Sequence, residues 1–316
     1  MKVVVSGATG FLGGHLCRHL KDQGHEVIGL GRDAVRGAEL AAEGMEFHTV
    51  DLSRTARPPV DRADGFVHAA ALSSNWGRRG DFEAANVDGT RNALDMAGRM
   101  GVRRFVFISS PTVAFRFHDQ LNQAEGAPLP PPVNAYAASK RAAEVLVRAY
   151  PETVILRPRG LYGRGDTALL PRLIRAARGG ALPLLNHGEA VTDLTHVDDA
   201  VRAVACALKA PDSVHRKTYN ISGGEPVTIK SIIEQACHGA GVTPRFTSIP
   251  VGLAMAAART AEAVAAMTPG RPEPMCTAYS VGVLAYSQTL DISAAAQDLG
   301  FVPEVCFAEG LKRTFA

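Results

Sequence analysis

Apolar positions along the chain alternate between two rhythms. Short apolar or β-branched runs, "KVVVS" (2–6), "HEVIGLG" (25–31), "MEFHTVDL" (45–52), "DGFVHAAA" (64–71), "RRFVFISS" (103–110) and "ETVILRP" (152–158), read as six strands. Between some of them the spacing turns helical: "FLGGHLCRHLKDQG" with Gly24 as its stop, the long "DFEAANVDGTRNALDMAGRMG", and "NAYAASKRAAEVLVRAY". Every strand is followed by enough chain for a crossover. The expected fold class is therefore α/β, with a doubly wound parallel sheet.

After about residue 165 the rhythm loosens. Short helices ("LLPRLIRAARGG", "VDDAVRAVACALKA", "TIKSIIEQACHGAG") alternate with short strands ("KTYNISG", "RFTSIP"), and Pro/Gly-rich "TPGRPEPM" leads to "TLDISAAAQDLGF". This predicts a dinucleotide-binding domain of the Rossmann type over 1–165, with the last strands and helix of its sheet from about 187–223. A smaller substrate-binding lobe takes 166–186 and 224–316. The proline-rich "EGAPLPPPVN" (125–134) reads as a stiff loop joining a strand to a helix.

Composition narrows the function. The 316 residues carry 34 basic and 31 acidic side chains, a formal net charge of +3, which gives no footprint for nucleic acid. A small molecule is the expected partner. Five scattered cysteines (17, 206, 237, 276 and 306) lack metal spacing and suit a reducing compartment, so no metal is expected. The opening "MKVVVSGATG" turns to glycine where the apolar core of a signal peptide would continue, so a cytoplasmic location is expected. "VGLAMAAARTAEAVAAM" (251–267) is apolar, but it is short and holds Arg259 and Glu262. It reads as a soluble helix rather than a transmembrane one, with a helix lying on a membrane or over an apolar substrate as the lesser reading.

Gly7, Gly10 and Gly13 in "SGATGFLGG" follow a strand directly and stand at the mouth of a helix. A tight turn and close backbone approach require residues without Cβ, and the helix N-terminus offers N–H groups to a pyrophosphate. Along the same sheet edge, Asp51 and Leu52 are placed to bracket an adenine ring, and the small side chains of Ala69, Ala70 and Ala71 let a dinucleotide lie against the backbone. Asn86 either reaches that crevice or caps a helix.

Tyr136 and Lys140 are four apart in "NAYAASK", which stacks them on one helix face. A phenol beside an ammonium is expected to have a depressed pKa and to exchange a proton with a substrate hydroxyl or carbonyl. Ser109 and Ser110 end the fifth strand at the cofactor edge. Because that strand is apolar on both faces, alternation does not decide which serine faces the site.

"GATGFLG", "ISSPTV" and "YAASK", in this order, resemble the extended short-chain dehydrogenase/reductase family, the NAD-dependent epimerase/dehydratase superfamily. "NVDGTRNAL", "RPRGLYGRGD", "HVDDAVRAV" and "DISAAAQDLGF" are similar to its later landmarks, so the resemblance runs essentially end to end. It implies Tyr136 as general acid/base, Lys140 as the pKa-lowering, ribose-binding lysine, and Ser110 as the hydroxyl that polarises the substrate, with Thr112 as the alternative. Phe11, Leu12 and Pro158 join the candidate cofactor contacts. The resemblance also implies a homodimer through the two long helices, 81–100 and 134–150.

Sugar-nucleotide members usually carry an asparagine where this chain has Gly160 and an arginine where it has Thr192. The tail "RPEPMCTAYSVGVLAYSQTLDISAAAQDLGF" resembles instead the 3β-hydroxysteroid dehydrogenase-like branch and reductases of long β-keto acids. The expected function is hydride transfer between a secondary alcohol and a ketone on an apolar or mixed substrate, the alternative being a nucleotide-sugar epimerase or dehydratase with a tightly held cofactor. At "GLGRD" an NAD-type fold would place an acid on the ribose hydroxyls. Gly31 followed by Arg32 favours NADP, although Asp33 could return a carboxylate and so NAD.

Overall fold

The computed structural model describes residues 1–54 and 57–316. Seven parallel strands form the main sheet: β1 (Lys2–Ser6), β2 (Glu26–Gly31), β3 (Glu46–Thr49), β4 (Gly65–His68), β5 (Arg104–Ile108), β6 (Thr153–Pro158) and β7 (Lys217–Ile221). Their spatial order is β7-β6-β5-β4-β1-β2-β3. The order reverses between β1 and β4, which opens a crevice at the carboxyl ends of the strands. The central strands are covered on both faces, and Val3, Val4, Val5, Phe105, Val106 and Phe107 have no exposed surface.

Amphipathic helices cover the two faces. On one, α1 (Phe11–Asp22), α2 (Ala34–Ala42) and α7 (Val197–Lys209) bring Leu16, Leu20, Leu40, Val201 and Val204 onto Val3 and Val5. On the other, α4 (Gly89–Arg99) and α5 (Ala135–Ala149) bring Met96, Ala97, Ala143 and Val147 onto Val4, Phe66, Phe105 and Phe107. The run ahead of α4 is helical from α3 (Arg79–Phe82) through a π-helical turn, Glu83–Asp88, that holds Asn86.

The rest of the chain folds over the carboxyl edge. Helices α6 (Leu170–Gly179), α8 (Ile229–Gly239) and α12 (Phe307–Phe315) share one apolar cluster. Helices α9 (Val251–Met267) and α10 (Ala278–Ala285) share another. The short helix α11 (Ser293–Leu299) returns to the main domain. A small sheet orders Val227–Thr228, Val191–Thr192, Gln288–Leu290 and Gln120–Gln123 side by side. The strand Gln120–Gln123 lay outside the sequence expectation because its polar residues are held by pairing with a distant strand rather than by local pattern. It carries part of the first 165 residues into the lobe. All five cysteines are free.

Candidate active site

The glycine turn sits at the reversal point of the sheet. Gly7 has φ +74°, and an added Cβ would lie 2.7 Å from the Ala70 nitrogen; one on Gly13 would lie 2.0 Å from the Gly7 carbonyl oxygen. Helix α1 begins at Gly10 without a side-chain cap, so its first N–H groups face the crevice without an internal oxygen to satisfy them. The cradle has the shape and donors that a pyrophosphate requires, with Phe11 and Leu12 in the first turn behind it. Pro158 ends β6 at the same edge.

Ser6, just ahead of the turn, opens a buried polar chain. Its Oγ is 2.7 Å from His68 Nδ1, and His68 Nε2 is 3.1 Å from Thr90 Oγ1, which donates to the Asn86 carbonyl at 2.6 Å. With the Thr90 hydrogen committed to Asn86, Thr90 accepts from His68 Nε2–H. His68 is then neutral and accepts from Ser6 at Nδ1. Burial, reinforced by Lys140, holds its pKa down to about 3. Asn86 continues the chain: its Oδ1 accepts from Leu72 N at 2.7 Å, and its Nδ2 donates to Leu72 O and to Ser139 Oγ. Ser139 donates in turn to the Tyr136 carbonyl. Asn86 thus does not cap a helix with its side chain; its hydrogen bonds tie the loop after β4, at the crevice edge, to α5.

Tyr136 and Lys140 lie on α5, whose N-cap Asn134 accepts from Ala137 N. Lys140 is buried, donates from Nζ to the Ile108 carbonyl at 2.6 Å, and stands 4.2 Å from the centre of the Phe107 ring. Burial pushes its pKa down to about 7. Here the structure corrects the expected tyrosine chemistry. The Tyr136 phenol is raised above its ordinary range, first by burial, with Ser73 and Ser110 hydrogen bonding pulling the other way. No charge from Lys140 offsets this, since its Nζ is turned to the Ile108 carbonyl.

The two serines separate by role. Ser109 Oγ donates to Glu144 Oε1 at 2.6 Å, within a buried group where Arg157 grips Glu144 through Nε and Nη2. Ser110 turns to the crevice. Its Oγ accepts from Thr112 N as the cap of the turn Pro111–Ala114, and donates to Thr112 Oγ1 at 2.9 Å. Thr112 Oγ1 is also 2.9 Å from the Tyr279 hydroxyl of α10, whose ring packs edge-on to Phe115 at 5.0 Å. Gly282 permits this approach, since a Cβ there would lie 2.8 Å from Phe115 Cζ.

Two groups at this centre were not read from the sequence. Ser73 lies two residues beyond the strand-end run, and Tyr279 sits in a tail segment with no local signal. After β2, Asp33 caps α2 by accepting from Val35 and Arg36 N through Oδ1. Arg32 is exposed and pairs with no described residue. Arg36, also missed, donates to the Thr9 carbonyl of the glycine turn. Asp51 accepts from Ser53, with Leu52 buried beside it. No group of His, Cys, Asp and Glu suited to a metal occurs among the described residues.

A dinucleotide cradle at the reversal point, beside a Ser-Tyr-Lys set, defines an NAD(P)-dependent oxidoreductase of the extended short-chain type. The family model described as "NAD dependent epimerase/dehydratase family" matches residues 3–222, and the chain belongs to that family. It is 31% identical over 323 residues to the 2-alkyl-3-oxoalkanoate reductase of Stenotrophomonas maltophilia, covering 99% of this chain and 98% of the relative. It is 31% identical over 309 residues to 3beta-hydroxysteroid-dehydrogenase/decarboxylase isoform 1 of Arabidopsis thaliana, covering 92% of this chain and 69% of the relative. A UDP-glucuronic acid 4-epimerase from Bacillus cereus, solved with NAD, shares the fold at a TM-score of 0.78 and 22% identity, over 100% of this chain and 97% of its own.

Proposed function

We propose that the protein is an NADP-dependent reductase of an apolar ketone, of the β-keto acid or sterol kind. The observation that carries this reading is the hydroxyl chain from Ser110 through Thr112 to Tyr279, set against Tyr136. A nicotinamide bound along the glycine turn supplies the hydride. Ser110 swings its hydrogen from Thr112 Oγ1 to the substrate oxygen, and Tyr136 gives that oxygen its proton as the alcohol forms. A phenol raised by burial is protonated at neutral pH, which is the form that reduction requires. Lys140, one helical turn along α5 and held at the Ile108 carbonyl, holds the ribose hydroxyls and restores the proton.

Three features support the substrate class. Phe115 and Phe117 pack edge-on beside Tyr279 and give the site an apolar wall. At Gly160 a Cβ would lie 2.5 Å from Leu194 Cδ2, and Thr192 accepts from Arg159, so the places where sugar-nucleotide members carry asparagine and arginine are otherwise used here. The names of the reductase and the dehydrogenase/decarboxylase relatives agree. For NADP, the support is Gly31, the committed Asp33 and the exposed Arg32. Pairing of two chains through α4 and α5 belongs to the same reading, supported by Val145, 65% exposed on α5. A panel of β-keto acids, sterol ketones and UDP-sugars, followed by nicotinamide absorbance and product analysis, tests the reading. It predicts NADPH consumption on a ketone and no sugar epimerisation.

A further inference from the structure

Helix α9 uses one face to pack on the protein. Ala258 and Ala265 are buried, and Val251, Ala254 and Met255 lie against Leu185, Val281 and Ala285. The opposite face carries Leu253, Ala256, Ala257, Thr260, Val264 and Met267, which recur at helical spacing. Leu253 is 64% exposed, Val264 55% and Met267 79%, and Met275 beyond the turn is fully exposed. Thr260, the only polar member of the row, donates its hydroxyl to the Ala256 carbonyl of its own helix. The result is an apolar stripe about 21 Å long at 1.5 Å per residue, with none of the described residues packed on it.

The charges around the stripe indicate what covers it. Residues 251–276 contain two carboxylates, and both are engaged: Glu262 accepts from Ala278 N, and Glu273 pairs with Arg172 at 3.0 Å. They also contain two guanidiniums, Arg259 and Arg271, both exposed and neither paired with a described side chain. The Trp76 indole N–H donates to the Arg271 carbonyl at 3.1 Å, bringing an amphipathic ring and exposed Arg78 beside the end of the stripe. An apolar row flanked by unpaired cations and a tryptophan is the arrangement of helices that lie in the lipid headgroup region.

We infer that the α9–α10 hairpin, with the Trp76 loop, docks the protein on an anionic lipid bilayer surface. The stripe enters the headgroup region, and Arg259 and Arg271 meet the lipid phosphates. No helix among the described residues is long and apolar enough to cross a membrane, so this contact is peripheral. The inference does not depend on the substrate or the cofactor, and its test reads no turnover.

Co-sedimentation of the full chain with vesicles of phosphatidylcholine alone, and with about one third phosphatidylglycerol, provides the test. Binding to the anionic vesicles, weakened by salt, is expected. Leu253→Glu with Met267→Glu lowers the partition by about tenfold or more. Arg259→Glu with Arg271→Glu lowers it on anionic vesicles specifically. Retained melting temperature and NADPH binding show that the variants fold. Absence of binding to anionic vesicles overturns the inference, as does equal binding by both variants. A concentration-dependent dimer that Leu253→Glu with Met267→Glu dissociates, without vesicle binding, overturns it in favour of a second copy of the chain.

Discussion

The hydroxyls of Tyr279 and Thr112 stand 2.9 Å apart, so a side chain of the C-terminal hairpin reaches the hydroxyl that Ser110 also engages. The polar machinery on β5 and α5 is completed from a helix far along the chain. Removing the phenol oxygen while keeping the ring should leave the Phe115 packing intact. Tyr279→Phe is expected to lower kcat/KM by about five- to tenfold, the scale of one neutral hydrogen bond, with unchanged NADPH affinity. Steady-state kinetics beside a cofactor titration check this. A loss of NADPH binding would show that Tyr279 acts on the cofactor instead.

The neighbouring serines should fail differently. Ser110→Ala removes the donor to the reacting oxygen, and a fall in kcat of about 10² is expected, with a stability loss of about 1 kcal/mol from the missing turn cap. Ser109→Ala takes a hydrogen bond from a buried carboxylate and should cost about 1–3 kcal/mol of stability with kcat preserved. Denaturant melts and turnover on both variants separate the two.

His68 gives the fold an acid-sensitive point. Its folded pKa lies near 3 against an ordinary 6.5, so between these values the unfolded chain binds a proton that the native chain excludes. Stability from this group is complete above about pH 6.5 and is lost as the pH falls toward 3. His68→Gln should flatten that part of the curve, and melting temperatures measured across the window check the slope.

Cofactor choice is tested at Arg32. Arg32→Ala should weaken NADPH binding by about ten- to a hundredfold while NADH affinity holds, as expected for loss of a guanidinium–phosphate contact. Fluorescence titration of both reduced cofactors distinguishes this from a general loss.

Most of the main sheet was legible because buried parallel strands are written as local apolar runs, and the glycine turn because close backbone approach at Gly7 and Gly13 admits only glycine. The strand Gln120–Gln123 was not legible, since its partner lies at Gln288–Leu290. Strand alternation could not choose between Ser109 and Ser110, and only the family resemblance pointed to Ser110, because the placing of Ser109 depends on Glu144 and Arg157 arriving from other elements. The state of Tyr136 was misread for a related reason. The four-residue spacing to Lys140 is local, but the burial that raises the phenol and the turn of Lys140 to the Ile108 carbonyl are both tertiary. Tyr279 left no trace, as one aromatic residue in a tail says nothing of which hydroxyl it will meet.

In the proposed reaction Tyr136 hands the proton to the ketone oxygen. The most direct measurement is the turnover of Tyr136→Phe at saturating NADPH on the ketone that wild type reduces. The ring still packs near Phe82, at 6.4 Å between centroids, so the variant should fold and bind NADPH as before. A fall in turnover of about 10² to 10⁴ is the predicted result. Turnover near the wild-type rate would contradict the claim.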